Sequence, residues 1–166
     1  MYAEPLSTSR LDLVPLLPEH AVEMAAVLSD PALHTFIGGT PLDRQALRAR
    51  YERLVAGSPD PAVSWCNWVL RLRAEDRLIG TVQATVDTPA AQASVAWVVG
   101  TPWQGHGYAA EAARGLVDWL SRQPSIGTVV AHIHPAHLAS AAVARAAGLQ
   151  PTEEEYDGET RWRLRR

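Results

Sequence analysis

Six consecutive residues, Gln104-Gly105-His106-Gly107-Tyr108-Ala109, stand between an apolar run and an apolar-periodic one. A glycine-bearing turn that leads from a strand into a helix aims the helix's free N–H groups and its positive dipole end at whatever lies beyond, so it can seat an anion. Glycine lets the backbone approach an oxyanion with no Cβ in the way. A tight turn that needs φ > 0 would look the same, and the turn alone does not choose between the two. The chain has no lysine; every basic residue is arginine or histidine. That excludes a phosphate-loop lysine, a Schiff-base lysine and a Ser-Lys dyad. An anion bound here must be held by backbone N–H groups, arginine or histidine.

Other reactive side chains are few. His132, His134 and His137 fall close together, and His132 and His134 share one face of an expected strand. Their segment holds no carboxylate, and the single cysteine, Cys66, is remote, so no metal site and no disulfide are expected. Glu153-Glu154-Glu155 and Glu159 form an acidic stretch. It reads either as a solvated loop or as a rim that attracts a cationic amine.

These residues need elements to position them. Leu6, Leu11 and Leu13 suggest a first strand. Pro18 opens a helical run with Val22, Ala25, Ala26 and Leu28, and Thr40-Pro41 with Asp43 predicts the capped start of a second helix carrying Leu47, Tyr51, Leu54 and Val55. Alternation over 63–72 and 78–86, then 94–99, predicts a meander of antiparallel strands. A helix over 109–120 buries Ala112, Ala113, Leu116 and Leu120. It crosses to a strand over 128–133, which should therefore run parallel to the one before the turn. A short helix over 139–147 and a hairpin broken at Asp157-Gly158 finish the chain. With 166 residues and no linker or repeat, one domain over 1–166 is expected. The formal charge of −3 gives no bulk attraction to nucleic acid or to an anionic membrane. No run is long and apolar enough to span a bilayer and no signal peptide is visible, so a cytoplasmic protein is expected.

The spacing Gln104-x-x-Gly107-x-Ala109, with Tyr108 and Glu111, resembles the phosphate turn of the GCN5-related N-acetyltransferases (GNAT), in the form found in their RimJ/RimL-like branch. His134-Pro135-Ala136-His137-Leu138-Ala139-Ser140 through Gly148-Leu149 is similar to that branch's Asn-x-x-Ser helix. The resemblance implies an α/β fold with a mixed, mostly antiparallel twisted sheet of about six to seven strands, helices on both faces, and a splay between the fourth and fifth strands. It also implies acetyl-CoA as cosubstrate, no metal, and direct attack by a primary amine of a small molecule or peptide. The pantetheine arm would pair with Trp97, Val98 and Val99, and the Val99 N–H would face the thioester oxyanion. Gln104, Gly105, His106, Gly107, Tyr108, Ala109 and Ala110 would surround the diphosphate. His137 stands where the family has the Asn that meets pantetheine, and Ser140 where a hydroxyl is proposed to protonate the leaving sulfur. A helix cap is the plainer role for that serine. Many relatives use a tyrosine for that step; here Ala144 occupies the place. Glu154 or Glu155 would take the amine proton, and residues about 18–57 and 152–164 would shape the acceptor pocket. Dimers are common among such proteins, so a homodimer is an open expectation.

A different class, a module that binds acyl-CoA without turnover, stays open because of His137 and the missing tyrosine. A dinucleotide-binding oxidoreductase fits poorly: the turn lacks three-glycine spacing, and a meander precedes it instead of βαβ units.

Overall fold

Alternation along Val63–Leu72 places Cys66, Trp68, Leu70 and Leu72 on one buried face, and the computed structural model, which describes residues 1–165, makes this a central strand. In chain order the strands are β1 (Leu6–Ser7), β2 (Leu11–Pro15), β3 (Val63–Leu72), β4 (Arg77–Asp87), β5 (Gln92–Val99), β6 (Thr128–Ile133), β7 (Gln150–Tyr156) and β8 (Glu159–Arg165). They form one sheet in the order β1-β2-β3-β4-β5-β6-β8-β7. Among the described residues only β5 and β6 run parallel, as the helical crossover between them requires. The expected single first strand is two, because Thr8 to Arg10 turn the chain back on itself. The closing hairpin turns at Asp157 and Gly158, whose φ values of 52° and 78° suit a two-residue turn.

Helices α1 (Ala21–Val27) and α2 (Arg44–Ala56) cover one face of the sheet; α3 (Tyr108–Ser121) and α4 (Leu138–Ala146) cover the other. The larger core lies under α3 and α4, around Trp68, Ile79, Leu116 and Leu120. Trp68 is fully enclosed, meets Trp119 edge to face at 5.3 Å, and donates its indole N–H to the Glu4 carbonyl at 2.7 Å. That donation leaves no buried indole proton unpaired. A smaller core joins Ala21, Met24, Val27, Leu47 and Tyr51 to Val69 and Leu78.

Two helix readings need correction. The buried face of α1 is Ala21, Met24 and Val27, and Val22 is exposed. The short 3-10 turn Pro18–His20 precedes α1 and rotates the register that an uninterrupted helix from Pro18 would have. Asp43, not Thr40, caps α2; its carboxylate accepts from the Ala46 N–H at 2.8 Å. Val55, expected on the apolar side, is also exposed. Among the described residues, no helix is long and apolar enough to cross a membrane.

Candidate active site

The β5–β6 ladder joins only Gln92, Ala93 and Ser94 to Thr128, Val129 and Val130. Beyond Ser94 the two strands part, which is the expected splay. Each keeps its outer partner: β5 stays on β4 to Val99, and β6 stays on β8 to Ile133. The cleft between them opens into a cavity of about 570 Å³, within the range of small-ligand pockets.

The pairing also says which amides face the cleft. The Gly100 N–H donates to the Ile79 carbonyl at 2.8 Å. Antiparallel ladders alternate bonded and non-bonded pairs, so Val98 and Ala96 direct their backbone groups at β4. Val95, Trp97 and Val99 direct theirs into the cleft. The Val99 carbonyl is taken by the Gln104 side-chain amide at 3.0 Å, while its N–H is left pointing at the cavity. Gly80 permits this approach: a Cβ there would lie 2.2 Å from the Val98 carbonyl oxygen.

At the far end of β5 stands the glycine turn. Gly105 and Gly107 both have φ of +79°, and Gly107 caps α3 in the left-handed region, where Cβ-bearing residues are strained. No side chain caps α3, and its first intrahelical bond is Glu111 N–H to Gly107. The N–H groups of Tyr108, Ala109 and Ala110 are thus free of helical partners and border the cavity. Gln104, Gly105 and Gly107 border it too. His106 does not: its Nδ1 donates back to the Trp103 and Gln104 carbonyls, at 3.2 and 2.9 Å, and its ring stacks on Tyr108.

A brace from the first hairpin holds this turn, and sequence reading missed it. Arg10 donates to the Glu111 carboxylate from its backbone N–H (2.9 Å) and from Nε (2.8 Å), donates from Nη1 to the His106 carbonyl (2.9 Å), and lies over the Tyr108 ring at 4.4 Å. The Thr8 hydroxyl donates to the same carboxylate. Burial opposes ionisation of Glu111, but these donors outweigh it and hold its pKa below the usual carboxylate value. Arg10 and Glu111 are 101 residues apart, and no local pattern links them.

The second expected cluster assembles on the other wall. His132, His134, His137, Ser140 and Glu159 all border the cavity. Ser140 lies in the first turn of α4, and His137 caps that helix through its ring, with Nδ1 accepting the Ser140 N–H at 3.2 Å. Ala144 is fully buried, so its position faces the core and not the cavity. Glu154 and Glu155 lie elsewhere. Glu154 is exposed and paired with Arg161 and, at 3.6 Å, with Arg163; both carboxylates are outside the cavity lining. Those pairs hold the Glu154 pKa below its usual value, the wrong direction for a group that must take a proton. The hairpin explains the difference: its turn returns the chain so that Glu159, opposite Tyr156, enters the cavity while the Glu153–Glu155 run stays on the outer strand. On the expected acceptor side, Leu33, Phe36 and Ile37 come from the loop between α1 and α2. Of the tryptophans, Trp68 and Trp162 are core, whereas Trp97 and Trp103 line the cavity.

Among the described residues, no three His, Cys, Asp or Glu side chains converge as a metal site. Cys66 is enclosed in the core, and burial pushes its thiol up to about 11, so it offers no thiolate to accept an acyl group.

A strand-like groove that ends on a helix start suits a long carrier with a phosphorylated end, which is the arrangement of acyl-transfer enzymes. The family model described as acetyltransferase (GNAT) domain matches residues 10–150, and the chain belongs to that family of acyltransferases. No curated protein matches the chain. Among solved structures, the chain is similar to RimL, a ribosomal L7/L12 alpha-N-protein acetyltransferase in complex with coenzyme A, at 15% identity over 98% of each chain and a TM-score of 0.82. It is similar to an acetyltransferase from Agrobacterium tumefaciens at 24% identity over 98% of this chain and 95% of the other, TM-score 0.77. The aminoglycoside acetyltransferase AAC(6')-Ib, solved with paromomycin and acetyl-CoA, shares 16% identity over 95% and 94% of the two chains at TM-score 0.77. At these identities the likeness is one of fold.

Proposed function

We propose that this protein is an acetyl-CoA-dependent N-acetyltransferase of the RimJ/RimL-like branch, a single catalytic domain that works in the cytoplasm and transfers acetyl directly to a primary amine. The supporting observation is the convergence on one cavity of the cleft-facing amides of Trp97 and Val99 with the uncapped start of α3. Pantetheine extends β5 as an added strand, and the diphosphate sits on the Tyr108, Ala109 and Ala110 N–H groups between Gly105 and Gly107.

The amine nitrogen attacks the thioester carbon. The Val99 N–H donates to the carbonyl oxygen as charge collects there. Glu159 takes the proton the nitrogen sheds, in place of Glu154 or Glu155, because it alone of these carboxylates borders the cavity. The C–S bond breaks with its electron pair on sulfur, and the Ser140 hydroxyl donates to the departing thiolate, which takes its proton from solvent on release.

The acceptor is a monoamine with an apolar neighbour. Among the described residues the cavity lining carries one carboxylate, Glu159, with Leu33, Phe36, Ile37 and the imidazoles. A polycationic aminoglycoside would need several carboxylates, whereas an α-amino terminus, with a pKa near about 8, is partly neutral when it arrives. Purified protein mixed with acetyl-CoA and an amine panel should release free thiol fastest with N-terminal peptides or apolar monoamines. No thiol above background hydrolysis with any amine would point instead to a non-catalytic acyl-CoA binder. Glu159→Gln should lower kcat by about a hundredfold or more at neutral pH, the scale of one general base. An unchanged rate would remove Glu159 from the mechanism.

A further inference from the structure

We propose that the acceptor is an acidic polypeptide, whose N-terminal amine enters the cavity at Glu159 while carboxylates at about its fourth to seventh residues lie against Arg163 and Arg165 on an uncovered part of the sheet. The inference rests on the N-acetyltransferase reading above and names the class of amine.

Strand register defines the surface. Val69, on which α1 and α2 pack, pairs with Thr81, and Thr81 pairs with Val98, so all three share one face. Ser94 shares that face with Val98 by alternation. Ser94 pairs with Val130, and Val130 with Arg163. Alternation along β8 then adds Glu159, Arg161 and Arg165 to the same face. Among the described residues, neither apolar core takes a side chain of this face from β5, β6 or β8. The helical cover therefore ends at β4, and the arginine row lies beyond it.

Arg161 is held within the sheet. Its Nη1 pairs with Glu154 on β7, and its Nη2 donates to the Gln92 side chain on β5 at 2.7 Å. It thus crosses β6 over Val130, which is fully enclosed although it belongs to neither apolar core. Arg163 has only a share of the same carboxylate, at 3.6 Å. Arg165 is exposed and makes no side-chain hydrogen bond among the described residues. One carboxylate among three guanidinium groups leaves positive charge uncompensated on this face. Glu153 and Glu155 alternate with Glu154 and take the other face, where Glu155 pairs with Thr160. In a chain with a formal charge of −3, the row is a local reversal of sign. Clustered arginines are what recognises acidic motifs in a polypeptide.

The row is continuous with the site. Glu159 and His132, both on this face, border the cavity. Arg163 and Arg165 follow Glu159 along one strand, about 13 and 20 Å away at the usual rise per residue. An extended peptide advances at the same rate, so an amine at Glu159 brings the residues a few positions on beside the two arginines. Its first side chain meets Leu33, Phe36 and Ile37. A second copy of this chain suits the face poorly. A two-fold contact sets a patch against its own copy, and an excess of arginine repels itself.

The test compares three peptides of one length that share their first three residues and carry Glu, Gln or Lys at positions four to seven. Thiol release should give the Glu peptide a kcat/KM about five- to tenfold above the Gln peptide, the scale of two exposed ion pairs, with the difference in KM. The Lys peptide should be the poorest. Raising the salt from about 0.01 to about 1 M shortens the Debye length from about 30 to about 3 Å and should erase the preference in the unmodified protein. Arg163→Glu combined with Arg165→Glu should reverse the order, so that the Lys peptide is preferred; a misfolded variant cannot show that gain. Equal kcat/KM for the three peptides, a preference indifferent to salt, or an order unchanged by the double substitution would overturn this proposal alone. So would a dimer that the same substitutions dissociate, since a second copy would then occupy the face. No thiol release with any peptide or small amine would overturn the acetyltransferase reading as well.

Discussion

Arg10 shows how one side chain can serve a site it does not enter. It joins the first hairpin to the start of α3 through the Glu111 carboxylate, the His106 carbonyl and the Tyr108 ring. Arg10→Ala should raise the Kd for acetyl-CoA by about tenfold, the loss of roughly one charge-assisted hydrogen bond, with kcat at saturating cosubstrate nearly unchanged. Calorimetric titration with acetyl-CoA checks the first part, and a drop in kcat with unaltered Kd would contradict it. The same brace gives an acid dependence. The folded pKa of Glu111 is lowered, so its contribution is complete above the ordinary carboxylate value and is lost as the pH falls through the folded one. Acetyl-CoA affinity should weaken along that limb, and Glu111→Gln should flatten it.

At the level of elements, the site exists because two strands part while each keeps its other neighbour. Gly80 on β4 sets how closely β5 can lie. A methyl group there would run into the Val98 carbonyl, which is backbone and cannot swing aside. Gly80→Ala should push the cleft-facing edge of β5 out of place and so weaken cofactor binding more than it lowers Tm. A variant with ordinary acetyl-CoA affinity by thermal shift would show that β5 tolerates the displacement. Gly107 is a different case. Its Cβ would have room, with Arg10 Nη2 at 3.5 Å, but its φ of +79° makes any L side chain costly by about 1–2 kcal/mol.

For the molecule as a whole, the sheet divides the work. The face under α3 and α4 carries the main core and the glycine turn, and the segment between α1 and α2 brings Leu33, Phe36 and Ile37 to the cavity. Trp68 sits in the middle of the core, more than a strand away from the splay. Trp68→Ala should cost about 3–5 kcal/mol of unfolding free energy, as removal of a large buried aromatic does. Chemical denaturation should show that loss, while any folded fraction keeps its KM for acetyl-CoA. A loss under about 1 kcal/mol would mean the core collapses around the gap to an unusual degree.

Strand limits over Val63–Leu72 and Thr128–Ile133, the glycine turn, the buried stripe of α3 and the parallel β5–β6 pair are all legible in the linear chain, because each depends on residue period or on a glycine at a fixed offset. Alternation and helical period are properties of neighbouring residues, so the order of residues carries them. The face of α1, the capping residue of α2 and the placement of the carboxylates are not legible there. Four glutamates lie within seven residues from Glu153 to Glu159, and only the hairpin's fold-back decides that Glu159 faces the cavity while Glu154 turns to Arg161. The pairings of Arg10 with Glu111 and of Phe36 with His137 join segments far apart in the chain. Such contacts form only when the whole sheet has closed, since their energies depend on distances that no local pattern encodes.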